Sequence, residues 1–316
     1  MRIKAIGGVA SAVLAATLIG CGGGGAASDN DASGDRQTTS ESADVKKLIE
    51  QTFGPNPKAT SGVLSGTIDI NVRGASRYRQ PVQVTMSGPF NKPSGSAPEA
   101  NLSVGLALRD GALGGELVLV DDRVLIALGT TGYQIPDAIA ATIRKPLANS
   151  RNGLASILRV FGIAPDRWAK NPRLVGDERV AGVDTIHGRA ELDTERFFLD
   201  VARLTKVLTS LRITEVTGLP RVIDRTTRQA LARSTTSATG DVYTGAKDHV
   251  LRKAMFAMKL KPSAKDRKLL KFSSIDVSGE LNVTEVGSEQ TIKPPPSTGD
   301  YDALQITLDA LAESVK

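Results

Sequence analysis

The chain has 316 residues, a formal net charge of +6, 40% apolar residues, 4% aromatic residues and a single cysteine. One cysteine excludes an intramolecular disulfide, and so few rings argue against the stacked platforms that hold sugars or single-stranded nucleic acid. The apolar content is enough for a core in one large domain or two small ones.

Arg2 and Lys4 precede a mostly apolar run from Ala5 to Leu18, and Leu18-Ile19-Gly20-Cys21 follows. Charge, apolar stretch, small residue and cysteine in this order predict a secretory signal over 1–20 and a bacterial lipobox. Cys21 would then be the lipidation site, a diacylglyceryl-Cys at the mature N-terminus, attached to the extracytoplasmic face of the cell membrane. The run falls short of the ~20 residues a membrane span needs. Residues 21–44 are rich in Gly, Ser, Asp and Ala with little to bury, and read as a flexible tether. As a coil it would reach roughly 25–30 Å. Of the chain's 40 bases and 34 acids, Arg2, Lys4, Arg36 and five acids precede residue 45, leaving 37 bases against 29 acids in 45–316. A basic exported body favours anionic membrane surfaces over nucleic acid.

A short helix is predicted from Val45, with Val45, Leu48 and Ile49 on one face. Strands with period-two alternation follow: Leu64, Ile68, Ile70 and Val72; Val82, Val84 and Met86; Leu102, Val104, Leu106 and Leu108. Leu113–Val120 and Arg123–Leu128 are apolar on both parities, with Asp121-Asp122 as a hairpin turn between them. Helices are predicted over Asp137–Ala148, interrupted or ended by Pro146, and over Leu154–Phe161. A strand covers Val180–Leu192. The next helix is capped by Asp193 or Thr194 and carries the stripe Phe197, Val201, Leu204, Leu208 and Leu211. A second helix spans about Pro220–Arg233. Strands return at Val242–Thr244, Val250–Leu260 and Phe272–Val286, and a short helix with Leu304, Leu308 and Leu311 closes the chain.

Two strand blocks separated by helices predict an α+β fold. Two domains divided near residue 165 are one arrangement. A single domain over 45–316 with one sheet is the more economical, because neither block has helices enough to cover its dry face.

Two blocks carry a family resemblance. Val180-Ala-Gly-Val-Asp-Thr-Ile-His187 resembles the Val-x-Gly-Val-x-Thr-x-His stretch of the LppX/LprG-type envelope lipoproteins. Asp241-Val-Tyr-Thr-Gly-Ala-Lys-Asp-His-Val-Leu-Arg252 is similar to that family's short strand, turn and following strand, although Tyr243 stands near a position where members often have tryptophan. The resemblance implies a LolA-like fold, a strongly curved antiparallel half-barrel with helices over its concave face, and a lipid or glycolipid held between them. Shielding an acyl chain of about 15 carbons from water is worth on the order of 12 kcal/mol.

For such a cavity the wall candidates are Ile68, Ile70, Val84, Val104, Leu106, Ile126 and Leu128, and the lid candidates Ile139, Ile143, Leu154, Leu158, Val201 and Leu204. Each taken alone reads as ordinary core; the cavity is favoured by many strands sharing one dry face with few helices to cover it. Arg221, Arg225 and Arg228, at i, i+4 and i+7, and the bases Lys259, Lys261, Lys265, Arg267, Lys268 and Lys271 around one hairpin turn read either as solvated faces or as headgroup contacts. His187 and His249 read as satisfied surface histidines. No nucleophile elbow, zinc-protease motif or phosphate loop occurs, so the expectation is a carrier without catalysis, cofactor or metal. A sensor domain binding an envelope protein partner is the first alternative and an unrecognised hydrolase the second.

Overall fold

The computed structural model describes residues 35–54, 58–75, 82–92, 97–108, 111–148, 153–160, 162–210 and 222–314. Cys21 and the signal segment, Leu211 and Arg221 lie outside them, as do the side chains of Leu208 and Leu311.

Helix α1 runs Asp35–Phe53. It begins at Asp35 rather than Val45, so residues 35–44 of the expected tether are helical. Its second half is anchored: Val45, Leu48, Ile49 and Phe53 are buried. Five strands follow in antiparallel succession, β1 (Ser61–Arg73), β2 (Val82–Asn91), β3 (Glu99–Leu108), β4 (Gly111–Val120) and β5 (Arg123–Leu128). Asp121 and Asp122 form the β4–β5 turn with φ of 49° and 57°, the positive values a two-residue hairpin of matching twist demands. A short β6 (Thr131–Gln134) completes the block.

Helix α2 spans Asp137–Ala148, continuing through Pro146, and α3 spans Gly153–Val160. The strand expected at Val180–Leu192 is instead the end of one strand and all of the next. Strand β7 (Ala169–Val180) and β8 (Val183–Leu192) meet at a tight turn at Ala181-Gly182, with φ of 47° and 81°. An alanine there carries no turn signal, because L-residues rarely adopt that region. Strand β7 had no alternation to reveal it either. It is the sheet's edge, mostly exposed, and tolerates Pro172 and charges that an inner strand would not.

Helix α4 (Thr194–Ser210) starts as expected, with Asp193 Oδ1 accepting from the Arg196 backbone at 3.2 Å. Helix α5 is Arg225–Ser234, capped by Asp224, and carries Arg225 and Arg228 of the expected three arginines, Arg221 lying outside the described residues. Strands β9 (Thr235–Gly245) and β10 (Leu251–Leu260) follow. The expected basic hairpin turn is a helix, α6 (Ala264–Leu270), with Ser263 as N-cap and Lys271 in the left-handed region at φ 60°. Strand β11 (Ser274–Thr284), the short β12 (Ser297–Gly299) and α7 (Tyr301–Ser314) end the described chain.

All strands join one open twelve-stranded sheet in the order β12-β6-β5-β4-β3-β2-β1-β11-β10-β9-β8-β7. The two sequence blocks fuse where β1 pairs with β11, from Val63 opposite Thr284 to Arg73 opposite Ser274. Every pairing is antiparallel except β12 with β6. The helices share one continuous apolar core with one face of this sheet. At β4 and β5 the opposite face is also covered: Val118, Val120 and Leu125 pack with Ile292 of the segment leading to β12. Burial on both faces explains the apolar run read there.

Candidate functional site

The helix-facing side of β1–β3 is built from cross-strand rows. Ile68 lies opposite Val84, and Val84 opposite Leu106; Met86 lies opposite Val104. Ile68 and Ile70 are fully buried and Ile126 nearly so. The lid candidates Ile143, Leu154, Leu158, Val201 and Leu204 are buried in the same core, and Ile139 packs on it. The wall is not covered evenly, however. Val84, Leu106 and Leu128 are half-buried, and Val104 is 37% exposed. Aliphatic surface therefore continues beyond the helices on the side of the sheet that faces them.

A second opening lies under α1. There a cavity of about 50 Å³ is lined by Ile49 and Phe53 of the helix, Trp168, and small residues of the sheet: Gly188, Ala190, Gly240 and Ala254. Ala190 and Gly240 are directly paired across β8 and β9. A Cβ on Gly188 would stand 3.0 Å from Val45 Cγ1, so the bare backbone is what lets α1 lie this close. None of the wall and lid candidates lines this cavity.

Trp168 is fixed by α4. Its Nε1 and the Ala164 backbone N–H each donate to Asp200 Oδ2 at 3.0 Å, while Arg203 donates to Oδ1 at 2.6 Å. The indole meets Phe197 edge to face, with centroids 5.1 Å apart. Asp200 is buried, and these donors are what make a buried carboxylate tolerable.

His187 corrects the sequence expectation. It faces away from the helices, yet it is only 3% exposed. Its Nδ1 lies 2.7 Å from Glu178 and its Nε2 2.6 Å from Asp241, so both ring nitrogens are engaged by carboxylates. Arg189 donates to the same Asp241 oxygen at 2.7 Å, and Tyr243 stacks on the imidazole with centroids 4.2 Å apart. Burial acts to raise the Asp241 carboxyl, but the hydrogen bonds from His187 and Arg189 outweigh it and hold it below the usual 3.8. Burial, and then the charges of Glu178 and Asp241, push the Tyr243 hydroxyl up to about 12. The two blocks that carry the family resemblance thus meet here, His187 from one and Asp241 with Tyr243 from the other. Sequence reading found both blocks but had no signal that they pair. His249 is half-buried beside a turn, with its backbone N–H donating to Gly245 at 2.9 Å.

Farther along that outer face, a groove of about 480 Å³ runs over β1, β2 and β11, lined by Ser65, Thr67, Asp69, Thr85, Ser278 and Glu280 among others. Among the described residues, no group of three or more His, Cys, Asp or Glu is placed to hold a metal ion.

The basic residues separate into those the structure unites and one it does not describe. Arg225 and Arg228 on α5 and Lys265, Arg267 and Lys268 on α6 lie on two helices packed together, joined by an Arg233–Asp266 ion pair of 2.8 Å.

The shape can be set beside solved structures. It is similar to LprF from Mycobacterium bovis. That likeness has a TM-score of 0.40 at 10% identity and covers 80% of this chain and 97% of LprF. The lipoprotein LppX from Mycobacterium tuberculosis follows, with a TM-score of 0.34, 10% identity and coverage of 82% and 100%. A LolA superfamily protein from Nitrosomonas europaea gives 0.21, 8% identity and coverage of 76% and 93%. No family model and no curated protein matches the sequence. Among the described residues, no helix is long and apolar enough to cross a membrane.

Proposed function

We propose that this chain is an envelope lipoprotein, tethered through Cys21, that binds and shields or transfers a lipid or glycolipid without chemical change. The observation that carries this reading is the uneven covering of the inner wall. Half-buried Val84, Leu106 and Leu128 and exposed Val104 extend an aliphatic surface past the lid helices. Burying exposed apolar area is favourable at about 25 cal/mol per Å², and a wall of plain aliphatic rows suits a ligand with no polar groups to satisfy. The cavity under α1, at about 50 Å³, is far below the roughly 300–1,000 Å³ of typical ligand sites. In this reading it is a packing gap beneath α1 and the acyl chain occupies the β2–β5 side.

Native mass spectrometry after mild extraction tests the proposal. The expected result is protein carrying a lipid mass that organic solvent removes and lipid extract restores. Bare polypeptide under all three conditions overturns it. For the tether, Cys21→Ala is expected to release the protein from lipid attachment; a variant still acylated and fully membrane-bound refutes that part alone.

A further inference from the structure

Helices α5 and α6, which carry Arg225, Lys265, Arg267 and Lys268, pack together, and an exposed aliphatic side chain belongs to each end of the pair. Val222, just before the α5 cap, is 64% exposed, and Leu269 on α6 is 39% exposed. Arg225, Lys265, Arg267 and Lys268 are exposed on the same pair of helices. The carboxylates of this region are used locally. Asp224 accepts from the Thr227 backbone at 2.7 Å, and Asp266 is held by Arg233 and by Ser263 at 3.1 Å. The helices are tied to the sheet as well, since the Lys261 backbone N–H donates to Ser234 at 2.7 Å.

We infer that this α5–α6 face docks on an anionic phospholipid bilayer, with Val222 and Leu269 entering the headgroup–acyl boundary and the surrounding bases meeting phosphates. Charge alone would suit an acidic protein or a nucleic acid equally. The aliphatic tips favour the bilayer, whose interface takes apolar side chains beside anionic headgroups, over a phosphate backbone that offers nothing to bury them; an acidic protein partner is the alternative that polyglutamate binding tests. Each base near such a surface strengthens attachment, and the attraction falls off within a Debye length. The contact is separate from the inner wall and holds whether or not that wall takes up a lipid.

The sole cysteine makes the test direct. In the full chain with Cys21→Ser, an environment-sensitive dye is attached through Val222→Cys, Leu269→Cys or, as a control, Ile306→Cys, which is 71% exposed on α7. Vesicles of phosphatidylcholine with and without phosphatidylglycerol are added. The expected result is a blue shift at 222 and 269 with anionic vesicles only, reversed by salt and absent at 306. Replacing Lys265, Arg267 and Lys268 by serine should weaken this partitioning on the order of a hundredfold with an unchanged melting temperature. No shift, an equal shift with neutral vesicles, or an equal shift at 306 overturns the proposal. Binding of polyglutamate or DNA to the patch without a vesicle response overturns it in favour of a soluble polyanion.

Discussion

His187 Nε2 and Asp241 Oδ1 lie 2.6 Å apart on adjacent strands, in a buried pair on the face of the sheet turned away from the helices. An outer face is normally where polar residues meet water. Here an imidazole, two carboxylates and a guanidinium instead satisfy one another, with the Tyr243 ring stacked on the imidazole, which ties β7, β8 and β9 together.

The pH dependence follows from Asp241. Its folded carboxyl is held below 3.8, so folding favours the charged form. The stabilisation is therefore complete above the ordinary carboxylate value and is lost as pH falls through the lowered one. The contribution of Asp241 to the melting temperature should be constant down to about pH 5 and decline below about 4. Asp241→Asn should lower stability at neutral pH by roughly 3 kcal/mol and flatten the acid limb. An unchanged acid limb in the variant would show that other carboxylates govern it.

Asp200 accepts from both Trp168 and the Ala164 backbone. Asp200→Ala leaves those buried donors without partners, at about 1–3 kcal/mol each. Urea unfolding followed by emission of Trp168, the chain's only tryptophan, should show a lower midpoint and a changed native spectrum. A loss below about 1 kcal/mol would mean that water replaces the carboxylate.

Val104 and Ile68 separate wall from core. Ile68→Ala removes methyl groups from a site 1% exposed and should cost about 2–5 kcal/mol. Val104→Asp, at a partly exposed position, should change stability by no more than about 1 kcal/mol. It should nevertheless abolish uptake of a fluorescent fatty acid, because a carboxylate cannot be buried unpaired. Uptake equal to wild type would place the ligand elsewhere.

Ala181 holds φ 47° in the β7–β8 turn. Ala181→Gly should raise the unfolding free energy by up to about 1 kcal/mol, since relief from the left-handed region exceeds the entropy that glycine adds. A fall in stability would show that the alanine methyl packs usefully.

Much of this architecture was legible because local chemistry enforces it. Rows such as Leu64, Ile68, Ile70 on β1 and Phe197, Val201, Leu204 on α4 announced their buried faces by period alone, and Asp193 its cap. The apolar run of β4 and β5 was visible in the sequence, but its burial on both faces was not, because the cover, Ile292, comes from far along the chain. Strand β7 escaped notice because an edge strand needs no apolar face. His187 was misplaced because it shares its strand face with polar Thr185 and Arg189, a pattern that reads as a wet face, while its partners Glu178 and Asp241 come from other strands.

Among the candidate residues the division is similar. The aliphatic rows and the basic clusters were named from spacing, since those residue types are set by what their element must bury or expose. Which rows the lid helices leave open, and that the helices carrying Arg225 and Lys268 pack against each other, depended on the packing of distant segments. The sequence by itself determined the α+β elements, their buried stripes, the basic body and the Leu-Ile-Gly-Cys motif at Cys21, all properties of neighbouring residues. Only the tertiary structure decided that β1 pairs with β11 to make one open sheet, and that His187 meets Asp241. Strand pairing joins residues through backbone hydrogen bonds that every sequence carries alike, so partner choice is settled by the core as a whole.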